Sequence, residues 1–338
     1  MRTILEPIEI WRHDLTSCLQ DSIATSLIHA GIDPLPVLGA KWNFFYPKGD
    51  YRKEEYYYPC QDNNNPAESL STFFPIHSNW NIPQNEEQGW EQLLEQLHAG
   101  KPVIVAVDNF YLPFRPAYND VHTNHLVVVY GVDFEQELVY VLDNKPPQFK
   151  GAIPIEVLRK ARNSLNPGND RSLYFYTDNP IKNRWLDVVI EQFVPELNQE
   201  WLYQVIHSNL DGWQVNSEND IWLGIDGIEK LLNQLHIRST LNDPTAMDEL
   251  YVVGWTIQQQ TGLHGDFLTS IGLQMNLFQV AEIGRDVNRL AHSWSNLRML
   301  GAHYRNHSSE IASQIESSGQ QLIFDYQKVF QKMRSVIS

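Results

Sequence analysis

The chain has 338 residues, 42% of them hydrophobic, and sets 41 Asp plus Glu against 25 Lys plus Arg for a formal charge of −16. That length exceeds what one hydrophobic core usually serves and predicts two domains; the acidic balance argues against a nucleic-acid partner. No basic region followed by an apolar run opens the sequence and no stretch of about eighteen apolar residues occurs, so the expectation is a cytoplasmic protein without a membrane span.

In chain order, Ser17 to Ala30 reads as a helix, because Leu19, Ile23, Leu27 and Ala30 recur on one face and Gly31 stops it. An aromatic group (Trp42, Phe44, Phe45, Tyr46) reads as core, and a polar loop, Gln61 to Asn65, follows the run Tyr56 to Tyr58. A second helix spans Glu87 to His98, and strands are expected at Lys101–Val107, Leu126–Tyr130 and Leu138–Leu142, the last two joined by a turn at Asp133–Gln136. A short helix at Ile155–Asn163 and a strand at Ser172–Tyr176 close this part. Helix first and antiparallel sheet after is an α+β layout. Asp178-Asn179-Pro180 marks the predicted boundary between domains 1–178 and 179–338. Beyond it helices are expected at Trp185–Val194, Ile225–Leu235, Thr245–Gln260, Phe267–Ile283, Val287–Leu300 and Ser309–Val336, which together make an all-α domain.

The two cysteines, Cys18 and Cys60, are too few for a disulfide framework and suit a compartment where a thiol stays free, a single bridge between them being the weaker reading. There is no Cys-x-x-Cys, and His303 with His307 lacks the Glu of a zincin helix, so neither a metal nor a cofactor is expected. Cys18 has a context that favours thiolate: Ser17 and Gln20 form an S-x-x-Q capping box that puts the cysteine in the first helical turn. Unpaired N–H groups and the positive end of the helix dipole stabilise an anion there. His125 stands just before one hairpin strand and Asp143 just after the other, so a turn near Phe134 or Glu135 brings imidazole and carboxylate together as base and orienter. Asn144 is the alternative orienter, although residue parity points it to the opposite face of the sheet; His122 is the alternative base, but it gains no partner from the hairpin. Tyr111 and Arg115, in the loop before His125, are placed to line a substrate cleft, with Arg115 suited to a carboxylate or phosphate; Tyr111 and Phe114 as packing residues with a solvated Arg115 is the equal alternative.

Four motifs, Cys18–Gly31 (CLQDSIATSLIHAG), Val107–Arg115 (VDNFYLPFR), Asn124–Asp133 (NHLVVVYGVD) and Leu158–Ser164 (LRKARNS), together resemble the N-terminal domain of the butirosin-biosynthesis H-type acyltransferases, which look like relatives of the C39 cysteine peptidases. The resemblance implies a papain-like (C39-like) cysteine-nucleophile domain with Cys18, His125 and Asp143 as nucleophile, base and acid. Gly224–Leu235 and Gly265–Leu268 (GDFL) are similar to pieces of the helical C-terminal domain that accompanies the family. C39 peptidases carry an oxyanion-donating Gln several residues before the cysteine, where this chain has Arg12, His13 and Asp14.

The implied reaction is amide formation: an acyl group passes from the phosphopantetheine thioester of an acyl or peptidyl carrier protein to the cysteine and then to a small amine. A hydrolase of the same fold (peptidase, amidase or thioesterase) is the alternative. Carrier proteins are acidic, so a local basic patch is expected, with Lys145, Lys150, Arg159, Lys160 and Arg162 as candidates. The helical half offers apolar faces through which a homo-oligomer would pair.

Overall fold

Valine-rich strands build the sheet that positions everything else. The computed structural model describes residues 2–13, 16–49, 65–167, 181–191, 193, 196–218 and 220–337. The elements of the first half are β1 (Arg2–Ile4), α1 (Cys18–His29), α2 (Pro34–Gly39), β2 (Phe45–Pro47), α3 (Pro66–Leu70), β3 (Ile76–Asn81), α4 (Glu86–His98), β4 (Val103–Asp108), β5 (Asn124–Asp133), β6 (Leu138–Asp143), β7 (Phe149–Pro154) and α5 (Ile155–Arg162). They are followed by β8 (Trp185–Ile190), α6 (Gln199–Trp213), β9 (Ile221–Leu223), α7 (Gly224–Thr240), α8 (Pro244–Gln274), α9 (Phe278–His303) and α10 (Ala312–Ile337). The result is a mixed helix and antiparallel-sheet architecture with a helical C-terminal part. None of the described helices is long and apolar enough to cross a membrane.

The main sheet runs β3-β8-β4-β5-β6-β7, every pairing antiparallel, and β1 continues the β4 side along the far end of β5. Alternation along the strands sorts the residues onto two faces. Val103, Val105, Val107, Val127, Val129 and Val141 pack under Leu93 and Leu97 of α4 and Leu158 of α5. Ile104, Ala106, Leu126, Val128 and Leu142 join Leu19, Ile23 and Leu27 of α1 on the other face. The ladder between β5 and β6 pairs Val129 with Val141 but Gly131 with Tyr140, so Tyr130 is bulged out. Gly131 is required next to that bulge, because a Cβ there would stand 2.7 Å from the Thr3 carbonyl oxygen of β1.

Two elements differ from expectation. Trp185–Ile190 is a strand, inserted between β3 and β4 with Ile76 opposite Ile190 and Ile104 opposite Leu186. Its apolar spacing fits a helix equally well; the β-branched run Val188-Val189-Ile190 and two open strand edges decide otherwise. The sheet therefore draws a strand from beyond residue 178, while Ser172–Tyr176 and Asp178–Pro180 lie outside the described residues. The helices expected at Thr245–Gln260 and Phe267–Ile283 are divided differently: α8 runs unbroken from Pro244 to Gln274. The glycines that read as a break are where α9 comes closest, since a Cβ on Gly265 would meet Asn288 Oδ1 at 2.5 Å and one on Gly284 would meet the Thr269 backbone nitrogen at 2.5 Å.

One continuous hydrophobic core joins the α1 face of the sheet to the helical part. Trp42 is its link: its backbone N–H donates to Asn209 Oδ1 at 3.0 Å, its indole N–H to Thr261 Oγ1 at 3.2 Å, and its ring stacks on His264 at 5.1 Å. β2 pairs with β9, which fastens the segment after α1 to the helices. The aromatic group Trp42, Phe44 and Tyr46 is buried as core.

Candidate active site

The N-terminus of α1, the start of β5 and the end of β6 converge at one end of the sheet. The capping box expected from sequence is formed: Gln20 N–H donates to Ser17 Oγ at 3.2 Å and Ser17 N–H to Gln20 Oε1 at 2.9 Å. An N-cap of this type contributes about 1 kcal/mol to the helix, and here it also fixes Cys18 as the first helical residue, a cysteine in no disulfide among the described residues and partly exposed. Cys60 lies outside the described residues.

His125 is 5% exposed and Asp143 2%. Nε2 of His125 is 2.8 Å from Asp143 Oδ2, which leaves the other ring nitrogen for its hydrogen bond with Cys18. The hairpin reaches this geometry by a route that differs slightly from the expected one. Its turn covers Phe134–Glu137, with Asp133 opposite Leu138 and Asp133 Oδ1 accepting from the N–H groups of Glu135 and Gln136 at 3.0 and 3.2 Å. Extending the Val128–Leu142 register sets Asp143 beside Val127, so His125 and Asp143 meet as diagonal neighbours rather than directly opposite.

Burial pushes each of the three groups toward its neutral form, and their mutual interactions reverse the effect. Against that desolvation the Cys18 thiol is lowered by its hydrogen bond to His125, the charge of His125, a Leu126 backbone hydrogen bond and the charge of Lys145. Burial disfavours imidazolium at His125, but the Asp143 carboxylate and the Cys18 sulfur raise it to about 9. Asp143 is lowered despite its burial by His125, by Arg115 and by the Lys145 backbone N–H. These directions favour a thiolate–imidazolium pair backed by a carboxylate, an arrangement that can attack a carbonyl carbon and hand a proton to a departing group.

The remaining candidates are placed as follows. Arg115 does not face open space: Nη1 donates to Asp143 Oδ2 at 3.1 Å and to the Lys145 carbonyl at 3.0 Å, so the guanidinium braces the carboxylate. Tyr111 packs edge-on to Phe110, with ring centroids 5.1 Å apart, at the border of the α4/α5 core. Asn144 turns the other way, accepting from Trp11 N–H at 2.8 Å and donating to the Asp21 carbonyl at 3.3 Å and Thr25 Oγ1 at 3.1 Å. His122 has a partner that the hairpin alone did not suggest, with Nδ1 lying 2.6 Å from Asp108 Oδ2 while its ring stacks on Phe110 at 4.1 Å. Of the segment before the cysteine, Arg12 is exposed, Asp14 lies outside the described residues and His13 Nε2 stands 3.0 Å from Asp266 Oδ2 of α8. Asp266, the acidic residue of GDFL, is lowered despite burial by His13 and Asn288.

The expected basic patch does not form. Lys145 Nζ lies 2.8 Å from Asp21 Oδ2, Lys150 donates to the Ile8 carbonyl at 2.6 Å, and Arg159 pairs with Glu86 at 2.5 Å and with Glu87. Arg162 is buried, donates to the Gly89 and Asn183 carbonyls at 3.2 and 3.0 Å, and is lowered by that burial to about 9. Among the described residues Lys160 alone of the five stands exposed and outside any ion pair. Nothing in the charge count separated inward from outward cations. Among the described residues no cluster of three or more His, Cys, Asp or Glu side chains is disposed to hold a metal ion.

No curated protein matches the chain. Residues 17–144 match the family model described as Butirosin biosynthesis protein H, N-terminal. The matched stretch begins at the N-cap of α1 and ends one residue past Asp143, so it encloses Cys18, His125 and Asp143. With these residues in one continuous match, residues 17–144 are similar to the N-terminal domain of butirosin biosynthesis protein H.

Proposed function

We propose that this protein is a papain-like acyltransferase of natural-product biosynthesis in which Cys18 is the nucleophile, His125 its acid–base partner and Asp143 the orienting acid. The observation that carries the reading is the thiol in the first turn of a capped helix, hydrogen-bonded to an imidazole whose other nitrogen is held at 2.8 Å by a buried carboxylate. The donor is the phosphopantetheine thioester of an acyl or peptidyl carrier protein and the acceptor a small amine.

The steps balance without a cofactor. The Cys18 thiolate attacks the thioester carbonyl carbon, with backbone N–H groups of the first turn facing the developing oxyanion. The donor C–S bond breaks, and the departing thiolate takes the proton of the His125 imidazolium. The amine nitrogen then attacks the Cys18 acyl thioester, the neutral imidazole accepts its proton, and the C–Sγ bond breaks to release the amide and restore the ion pair. Water in place of the amine would make the same machinery a hydrolase.

Intact-mass measurement of wild type and Cys18→Ala with a panel of acyl-carrier and small acyl thioesters, followed by an amine chase, tests the reading. A mass gain in wild type only, discharged as an amide, supports the transferase. Discharge by water at the same rate with and without amine makes it a hydrolase. Equal labelling of both proteins overturns the nucleophile assignment.

A further inference from the structure

We propose that Lys145 is a positioning residue for Cys18, clasping the end of β6 to the turn that starts α1 and holding its ammonium close to the thiol. The inference rests on the reading of Cys18 as the nucleophile and adds to it a group outside the Cys18, His125 and Asp143 set.

Three successive residues leave β6 and each grips a different part of the site. Asp143 holds His125, Asn144 holds the first turns of α1 through the Asp21 carbonyl and Thr25 Oγ1, and Lys145 holds the approach to α1. Its backbone N–H donates to Asp143 Oδ1 at 2.9 Å, and its carbonyl accepts from Arg115 Nη1 at 3.0 Å. Its ammonium donates to the Thr16 carbonyl, lies 3.1 Å from Thr16 Oγ1 and 2.8 Å from Asp21 Oδ2, and is 17% exposed. The two Thr16 oxygens engage its N–H donors and the Asp21 carboxylate balances its charge, so the ammonium is turned toward α1. Thr16 Oγ1 closes the ring by donating to Asp21 Oδ1. One side chain thereby spans from the residue two before the nucleophile to the residue three after it, while its own backbone fixes the orienting carboxylate.

The charge matters as well as the reach. His125 and Lys145 both favour the Cys18 thiolate, the ammonium lying against the Thr16 carbonyl two residues before the cysteine, with Asp143 on the imidazole and Asp21 on the ammonium; burial raises Asp21 against the pull of Lys145 and Thr16. A nearby cation lowers a thiol only while it is held in place, and the Thr16–Asp21 ring does the holding.

The test is the pH dependence of Cys18 alkylation by iodoacetamide in a Cys60→Ser background, which needs no acyl donor. Lys145→Met should move the acid limb up by about one pH unit, roughly the effect of one nearby charge, and slow alkylation several-fold at pH 6. Lys145→Arg should restore the limb to within a few tenths of a unit. Lys145→Gln keeps an N–H donor without the charge and should follow Lys145→Met, which guards against a Met variant that fails to fold. A limb that stays put in folded Met and Gln variants while their melting temperatures fall would reduce Lys145 to a structural tie and overturn the proposal. A wild-type limb at the ordinary thiol position near 8.5 would instead overturn the nucleophile reading itself.

Discussion

The sheet end and the helical core each bury an imidazole, and the two are driven in opposite directions. His264 of α8 is fully buried against Trp42, lies 2.8 Å from the Gly39 carbonyl through Nδ1, has no partner for Nε2 among the described residues, and is lowered by desolvation to about 4. His125 is equally enclosed, yet a carboxylate at 2.8 Å and a thiol on its other side raise it to about 9. Burial alone keeps a histidine neutral and inert, whereas burial beside a fixed anion makes an ion pair that is hard to discharge.

The most severe way to break this contrast is Asp143→Asn. It should turn His125 into a second His264, with its titration, read by NMR of the ring protons, falling below 6.5 and acyl transfer dropping by about 10³-fold or more. The same change leaves Arg115 without its carboxylate and should destabilise the fold by a few kcal/mol, measured by urea unfolding. Retained activity would show that Asp143 is not the orienter. Asn144→Ala should spare the titration and cost about 1–2 kcal/mol of stability through the lost Trp11 and Thr25 hydrogen bonds.

Stability against pH sharpens the comparison, because the two histidines act on opposite sides of neutrality. His125 contributes stability that is full below its unfolded pKa of about 6.5 and is lost as pH rises through about 9. His264 contributes stability that is full above about 6.5 and is lost as pH falls toward about 4. Melting temperatures of His125→Gln and His264→Phe against wild type should therefore flatten the alkaline and the acid limb respectively; flattening of the same limb by both would refute the assignment. The smallest effect is expected for Arg159→Glu with Lys160→Glu. Arg159 is already tied to Glu86 and Glu87, so transfer from a carrier should change less than about twofold beyond any loss of stability, consistent with an exposed pair of modest worth.

Local signals were enough for some of this. Ser17, Gln20 and Gly31 delimit α1 because capping is chemistry within one turn, and the alternation of LVVVY and LVYVL gives two strands whose ends carry His125 and Asp143. Those signals bring the cysteine, histidine and acid together in outline and identify Asn144 as the residue facing away. They do not extend to how far a long side chain reaches or which way it turns: Arg115 reads as a substrate contact and Lys145 as a surface cation until Asp143, Thr16 and Asp21, which are far off in the chain, are brought within 3.1 Å of them. The strand at Trp185–Ile190 belongs with these cases. Its own residues satisfy a helix or a strand, and the open edges of β3 and β4, more than 75 residues upstream, select the strand. Hydrogen bonds within a turn and alternation along a strand are legible from neighbouring residues alone, whereas pairing of edges and of buried charges depends on partners that only the fold brings together.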